Sequence, residues 1–239
     1  MLTPAEYHEA LERDAADFIG IIQAADPDAQ VPACPGWVLT DVGRHLGSVH
    51  RWARDAIIIG CPGDQPIGPD DQQALVAWLR DGADALVATL RNTDPESPAW
   101  TFGPSPHRVA FWGRRQAHET AMHLVDAQQS AGLPVRMDPA LAADGVVEVA
   151  TMFFPRQVRL ARLAPLRDGL RIVLTDAPVT AVLAGDGTDG SAPTAATITG
   201  PAVDVLLALW GRAALSSLDV DVHGDADVAM SVLSAGITP

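Results

Sequence analysis

The sequence predicts a chain in two parts: an N-terminal up-and-down bundle of four helices, then a small α+β domain. Three observations carry this prediction. Four stretches before residue 131 place apolar residues at close to a 3.6-residue period. Segments rich in Gly and Pro separate those stretches. Beyond Pro165 the pattern shifts to short β-type runs broken by turns rich in Gly and Asp.

Each element has a local cause. Thr3, Pro4 and Glu6 form a T-x-x-E capping box with proline at the first helical position. Leu11, Ala15, Phe18, Ile19 and Ile22 continue the first helix. It should end before Asp26-Pro27, because the residue preceding a proline avoids the α region. The irregular stretch VPACPGWVLT leads to a second helix, expected to be capped by Thr40 or Asp41. Its apolar side carries Val42, Leu46, Val49, His50 and Ala53. His45 lies five residues before His50 and points well around the helix from it. A loop over residues 60–71 precedes a third helix, from about Gln72 to Leu90, marked by Leu75, Leu79, Ala83 and Leu86. The long connection NTDPESPAWTFGPSPH delivers Trp100 and Phe102, which with Trp112 can line a pocket or pack in the core. The fourth helix runs from about Val109 to Ser130, with Gly132 as its C-cap. One apolar face on each of four helices implies a bundle.

A further helix, from about Pro139 to Arg162, should be kinked or broken at Pro155. LRIVLTD, VTAVLAGD and TAATITG read as strands, with GDGTDGSAPT as a turn. Pro201 to Gly211 reads as a buried helix, SLDVDVHGD as an alternating strand, and Asp225 as the start of a last helix. The expected division is a helical domain over residues 1–162 and an α+β domain over residues 163–239.

Composition narrows the function classes. Hydrophobic residues make up 48% of the 239 and charged residues 19%, enough for a packed core. A net charge of -14 repels a phosphate backbone, which disfavours general nucleic-acid binding. Cys34 and Cys61 cannot build a secreted-type disulfide framework. The acidic N-terminus lacks the basic-then-apolar pattern of a signal peptide. No run reaches the roughly 18 to 20 apolar residues of a membrane span. The expectation is a soluble, cytoplasmic protein with small-molecule partners, no nucleic acid and no membrane.

The chemistry concentrates in three residues. Glu119 and His123 are four apart on the fourth helix, about 40° around its axis, so they share a face. With His50 from the second helix they make two nitrogens and a carboxylate. That set suits zinc with a fourth position open. The alternative is ordinary packing: His50 as a satisfied core histidine, and Glu119 paired with Arg51, Arg114 or Arg115. The H-E-x-x-x-H run of His118 to His123 is not the H-E-x-x-H of zinc proteases. Its histidines are about 140° apart, so His118 is expected to face elsewhere. Asp126, three residues beyond His123, is either a surface group or a partner for a histidine N–H or a nearby arginine. Cys34 reads as a small structural hydrophobe.

VPACPGWVLTDVGRHLGSVHRWARD and RRQAHETAMHLVDAQ closely resemble the mycothiol-dependent maleylpyruvate isomerase family. GPAVDVLLALWGRAALSSLDVDVHGD resembles that family's C-terminal domain, so the resemblance spans essentially the whole chain. It implies a DinB-like bundle followed by a sterol-carrier-like α+β domain. It implies a divalent metal, zinc by preference, at His50, Glu119 and His123, with mycothiol as the thiol cofactor. It further implies that Arg212, in the C-terminal G-R motif, binds a substrate carboxylate; a plain helix-end role is the alternative. Leu124-Val125 depart from the family, which commonly carries a basic residue or tryptophan there, so the substrate side of the pocket is expected to differ. The implied activity is isomerase or S-transferase chemistry on a small electrophile. The rival expectations are a hydrolase using metal-bound water, and a non-enzymatic carrier or sensor of apolar ligands.

Overall fold

The computed structural model describes residues 2–61, 63–190 and 192–239. Met1 lies outside the described residues. So do Pro62, in the expected loop at 60–71, and Ser191, in the expected turn at 185–194. The chain divides into two compact units, Met1–Arg136 and Met137–Pro239. Among the described residues, no helix is long and apolar enough to cross a membrane.

The first unit is a bundle of α1 (Pro4–Ala24), α2 (Leu39–Ile58), α3 (Gln72–Asn92) and α4 (Val109–Ser130). Helix α1 opens with the expected capping box. Thr3 accepts from the Glu6 N–H at 3.3 Å, and Glu6 Oε2 accepts from the Thr3 N–H at 2.7 Å. Its C-terminal carbonyls are met from another helix: Gln72 Nε2 donates to the Ile22 and Ala25 oxygens at 2.7 and 3.2 Å. Helix α2 corrects one expectation. Its cap position is Val38, and Asp41 at the third helical position accepts the Val38 N–H at 3.0 Å. The Thr40 hydroxyl donates instead to the Pro27 oxygen at 2.8 Å, tying the preceding loop to the helix start. Helix α4 ends as expected. Gly132, at φ +67°, lets the Leu133 N–H reach back to the Gln128 oxygen at 2.8 Å.

Around the bundle, α1 packs on α3 and α4, and α2 packs on α3 and α4. Helices α1 and α2 therefore sit on one diagonal and α3 and α4 on the other, each pair joined by a long connection across the bundle end, while α2 and α3 are neighbours. Phe18, Ile22, Leu39, Leu46, Leu75, Leu79 and Leu124 fill one continuous core, each buried side chain of this size contributing roughly 1.5–3 kcal/mol. Helices α2 and α3 are also keyed together by polar groups. The Arg51 guanidinium lies 3.9 Å over the Trp78 ring and donates to the Gly47 and Trp78 oxygens at 3.1 and 2.6 Å. Gly47 and Gly82 leave the room for this. A Cβ on Gly47 would sit 2.2 Å from the Trp78 ring, and one on Gly82 would sit 2.3 Å from Arg51 Nη1.

The second unit starts with α5 (Pro139–Glu148), a π-helical turn at Val149–Phe153, and α6 (Phe154–Arg159) in unbroken succession. Pro155 does not break this helix. Proline lacks an N–H and clashes with the carbonyl four residues back. A wider turn immediately before it relieves that clash, so the interruption becomes a π segment. Strands β1 (Leu166–Leu174), β2 (Thr180–Gly185), β3 (Thr194–Gly200) and β4 (Asp221–Gly224) form one mixed sheet in the order β2-β1-β3-β4. The β1–β3 pair is parallel and the two outer pairs are antiparallel. Helix α7 (Ala202–Leu209) crosses from β3 towards β4, and α8 (Ala226–Leu233), capped by Asp225, lies against β1 and β3.

The compact units divide at 136/137, earlier in the chain than the expected domain division at 162/163. Helix α5 packs on α7, and Phe153 meets Trp210 edge to face at 5.4 Å. The change of period at Pro165 marks where helix gives way to strand, and the change of packing partners comes earlier.

Candidate metal centre

Helices α2 and α4 are direct neighbours, so each can supply donors to a common point. The structure brings together His45, Glu119 and His123, whose donor atoms all lie within 4.8 Å of one another. Glu119 Oε1 is 3.2 Å from His45 Nε2 and 3.3 Å from His123 Nε2. Ligand atoms about 2.0–2.1 Å from a tetrahedral ion stand roughly 3.3–3.4 Å apart. These separations and this donor set therefore fit such an ion.

The supports around the donors fix their roles. Asp126 is fully buried, and its Oδ2 accepts from His123 Nδ1 at 2.9 Å. That contact puts a proton on Nδ1, so Nε2, which faces Glu119 and His45, is the nitrogen left to bind an ion once its own proton is displaced. Arg115, one turn before Glu119, donates from Nη2 to Oε2 at 2.7 Å, leaving Oε1 to face the two imidazoles. Trp37 packs edge-on against His45 at 5.4 Å, and His45 meets His123 edge to face at 4.8 Å. Side-chain exposure rises from 11% at His123 through 18% at Glu119 to 31% at His45, so the cluster opens to solvent on the α2 side.

Electrostatics agree with a site built for charge. Burial alone would raise the Glu119 carboxyl, but hydrogen bonds from His123 and His45 and the Arg115 charge hold it well below the usual carboxylate range. Burial pulls His123 down, yet Asp126 and Glu119 together raise it to about 9. Without a metal, His123 therefore carries a proton at neutral pH.

His50 is not among the convergent donors, which corrects the expected set. It is buried on the same helix, and its Nε2 faces the Thr120 hydroxyl at 2.9 Å. Its Nδ1 has no hydrogen-bond partner. Burial pushes it down to about 3, so it is a neutral core histidine. The α2 side chain that converges with Glu119 and His123 is His45. The signal was present: His45 lies three residues after Val42 and four before Val49, both buried, which puts it along the edge of the same stripe.

The remaining candidates fall as follows. His118 is buried and meets Tyr7 edge-on at 6.1 Å, away from the donors. Trp100, Phe102 and Trp112 pack with Trp52 and Phe111 in an aromatic cluster, and Trp112 Nε1 donates to the Trp100 oxygen at 2.7 Å. Leu124 and Val125 are buried, and Leu124 belongs to the continuous core of the bundle. Cys34 packs against the core and Cys61 is exposed. Arg212 follows α7 in the second unit. Its Nη1 donates to the Trp210 oxygen at 2.9 Å, and its guanidinium lies 5.6 Å from the centre of the Trp210 ring.

A helical bundle carrying a two-histidine, one-carboxylate cluster, followed by a small mixed-sheet unit, defines a class of two-domain proteins with a metal-type centre. The chain belongs to the mycothiol maleylpyruvate isomerase family, a family of thiol-dependent isomerases and transferases. The N-terminal domain of that family matches residues 8–128 and its C-terminal domain matches residues 140–230. Two solved structures share the fold: mycothiol-dependent maleylpyruvate isomerase and a histidine-to-alanine variant of it. Their TM-scores are 0.67 and 0.69, each at 11% identity over 94% of this chain and 95% of the other. No curated protein matches the chain.

Proposed function

We propose that the chain is a divalent-metal-dependent isomerase or S-transferase that uses mycothiol on a small, carboxylate-bearing electrophile. The observation that carries this reading is the meeting of donor atoms from His45, Glu119 and His123 within 4.8 Å of one another on two adjacent helices, with Glu119 Oε1 3.2 and 3.3 Å from the two histidine nitrogens.

His45, Glu119 and His123 would hold the ion, zinc by donor type. Bound there, a divalent ion supplies a Lewis acid that keeps a thiol in its nucleophilic thiolate form at neutral pH. Asp126 holds the Nδ1 proton of His123 and so keeps Nε2 free to donate its lone pair. Arg115 and Asp126 cancel each other in charge, and Glu119 offsets half of a divalent ion. One positive charge is left at an opening beside His45, suited to one anionic sulfur. Arg212 is assigned to the substrate carboxylate through the two parallel donors of its guanidinium.

Elemental analysis of the purified protein is expected to find close to one divalent ion per chain. Mycothiol is expected to raise the melting temperature of that form alone. His45→Ala should lose the ion and the thiol response together, whereas His50→Gln should keep the ion. Stoichiometric metal with turnover indifferent to mycothiol would favour hydrolysis by bound water and overturn the thiol reading.

A further inference from the structure

His45 and His123 can each offer one nitrogen, but Glu119 has two oxygens. Whether one or both are free decides the coordination number of anything bound. Arg115 settles this. Its side chain is only 3% exposed, and its Nη2 holds Glu119 Oε2 at 2.7 Å from the same helix, four residues back. Only Oε1 faces the histidines. The placement is informative because it costs affinity: a guanidinium this close repels every divalent ion. What it supplies is direction, since a charge-assisted bond to Oε2 competes with two-oxygen binding of the carboxylate.

We infer that Arg115 sets the coordination number, and with it the metal preference, of the centre. By occupying Oε2 it makes Glu119 a one-oxygen ligand. The protein then offers three donors and an open position, the arrangement of four-coordinate zinc. Six-coordinate ions that favour oxygen ligands are disfavoured. Arg115 is a positioning residue that acts through Glu119. The inference rests on the metal centre proposed above.

Cobalt(II) is the probe, because its visible absorption is intense when four-coordinate and weak at higher coordination. Wild-type protein loaded with cobalt should show the intense bands. In Arg115→Met, with Oε2 released, the bands should weaken severalfold. The preference for zinc over manganese, measured by competition, should fall on the order of tenfold. Circular dichroism establishes that the variant is folded; if it is not, Arg115→Leu is tested by the same two measurements. A folded variant with wild-type bands and wild-type preference overturns the role of Arg115. Weak bands in the wild type overturn it too, while leaving the centre standing. A wild type that takes up no cobalt instead sinks the metal centre itself.

Discussion

Two histidines on α2 separate into different trades, and the difference is one of position relative to solvent. His50 is sealed in the core and held neutral; His45 sits at the edge of the apolar stripe, where an ion and a ligand can reach it. Sequence spacing located Glu119 and His123, because both lie on one helix and their separation fixes their shared face. It could not choose between His45 and His50, because that choice depends on how α2 is rotated against α4. The two states of His123 also predict opposite responses to pH. In the metal-free protein its pKa is raised to about 9 from an ordinary value near 6.5. The stability this proton contributes is fully present below pH 6.5 and is lost as pH climbs through 9. Metal binding must displace the same proton, so zinc affinity should rise about tenfold per pH unit up to about 9. Thermal melts of the chelated protein and zinc titrations over pH 6–10 check both slopes; a flat zinc profile would remove the protonated His123 from the picture. His50 adds a separate acid limit. Its neutral buried form contributes stability above pH 6.5 that is lost as pH falls through about 3.

At the level of elements, helices were legible where caps and period agreed, as in α1 and α4, and α3 was legible from its period alone. The start of α2 was misread because a threonine and an aspartate followed each other. The contacts of Thr40 with the Pro27 oxygen and of Asp41 with the Val38 N–H place both residues inside the helix, which begins at Leu39. Pro155 was legible as a disturbance, but its accommodation by a π turn depends on packing in the second unit. The α2–α3 contact offers a direct test. Gly47→Ala would drive a methyl into the Trp78 ring, an aromatic that cannot yield without dislodging Arg51. Overpacking of this kind costs about 1–3 kcal/mol. Denaturant melts should show it, with lowered metal retention because Gly47 is two residues from His45. Gly82→Ala should cost less, since the group it meets is the mobile end of Arg51.

At the level of the whole chain, the class of each half was legible and the border between them was not. A border is a change in which elements touch, and periodicity reports only which elements exist. The donors at the proposed centre come from α2 and α4 alone, and His45 and Glu119 are 74 residues apart in the chain. An ion seated there ties two helices whose own connection runs through all of α3. It acts as a removable cross-brace on the first unit. Free zinc at a thousand times its dissociation constant should stabilise that unit by about 4 kcal/mol, and a chelator should remove the whole gain. Hydrogen exchange should then quicken in α2 and α4 ahead of the β-sheet, which contributes no donor. The first unit would thus report metal supply through its own rigidity, and proteolysis of the metal-starved chain should begin there.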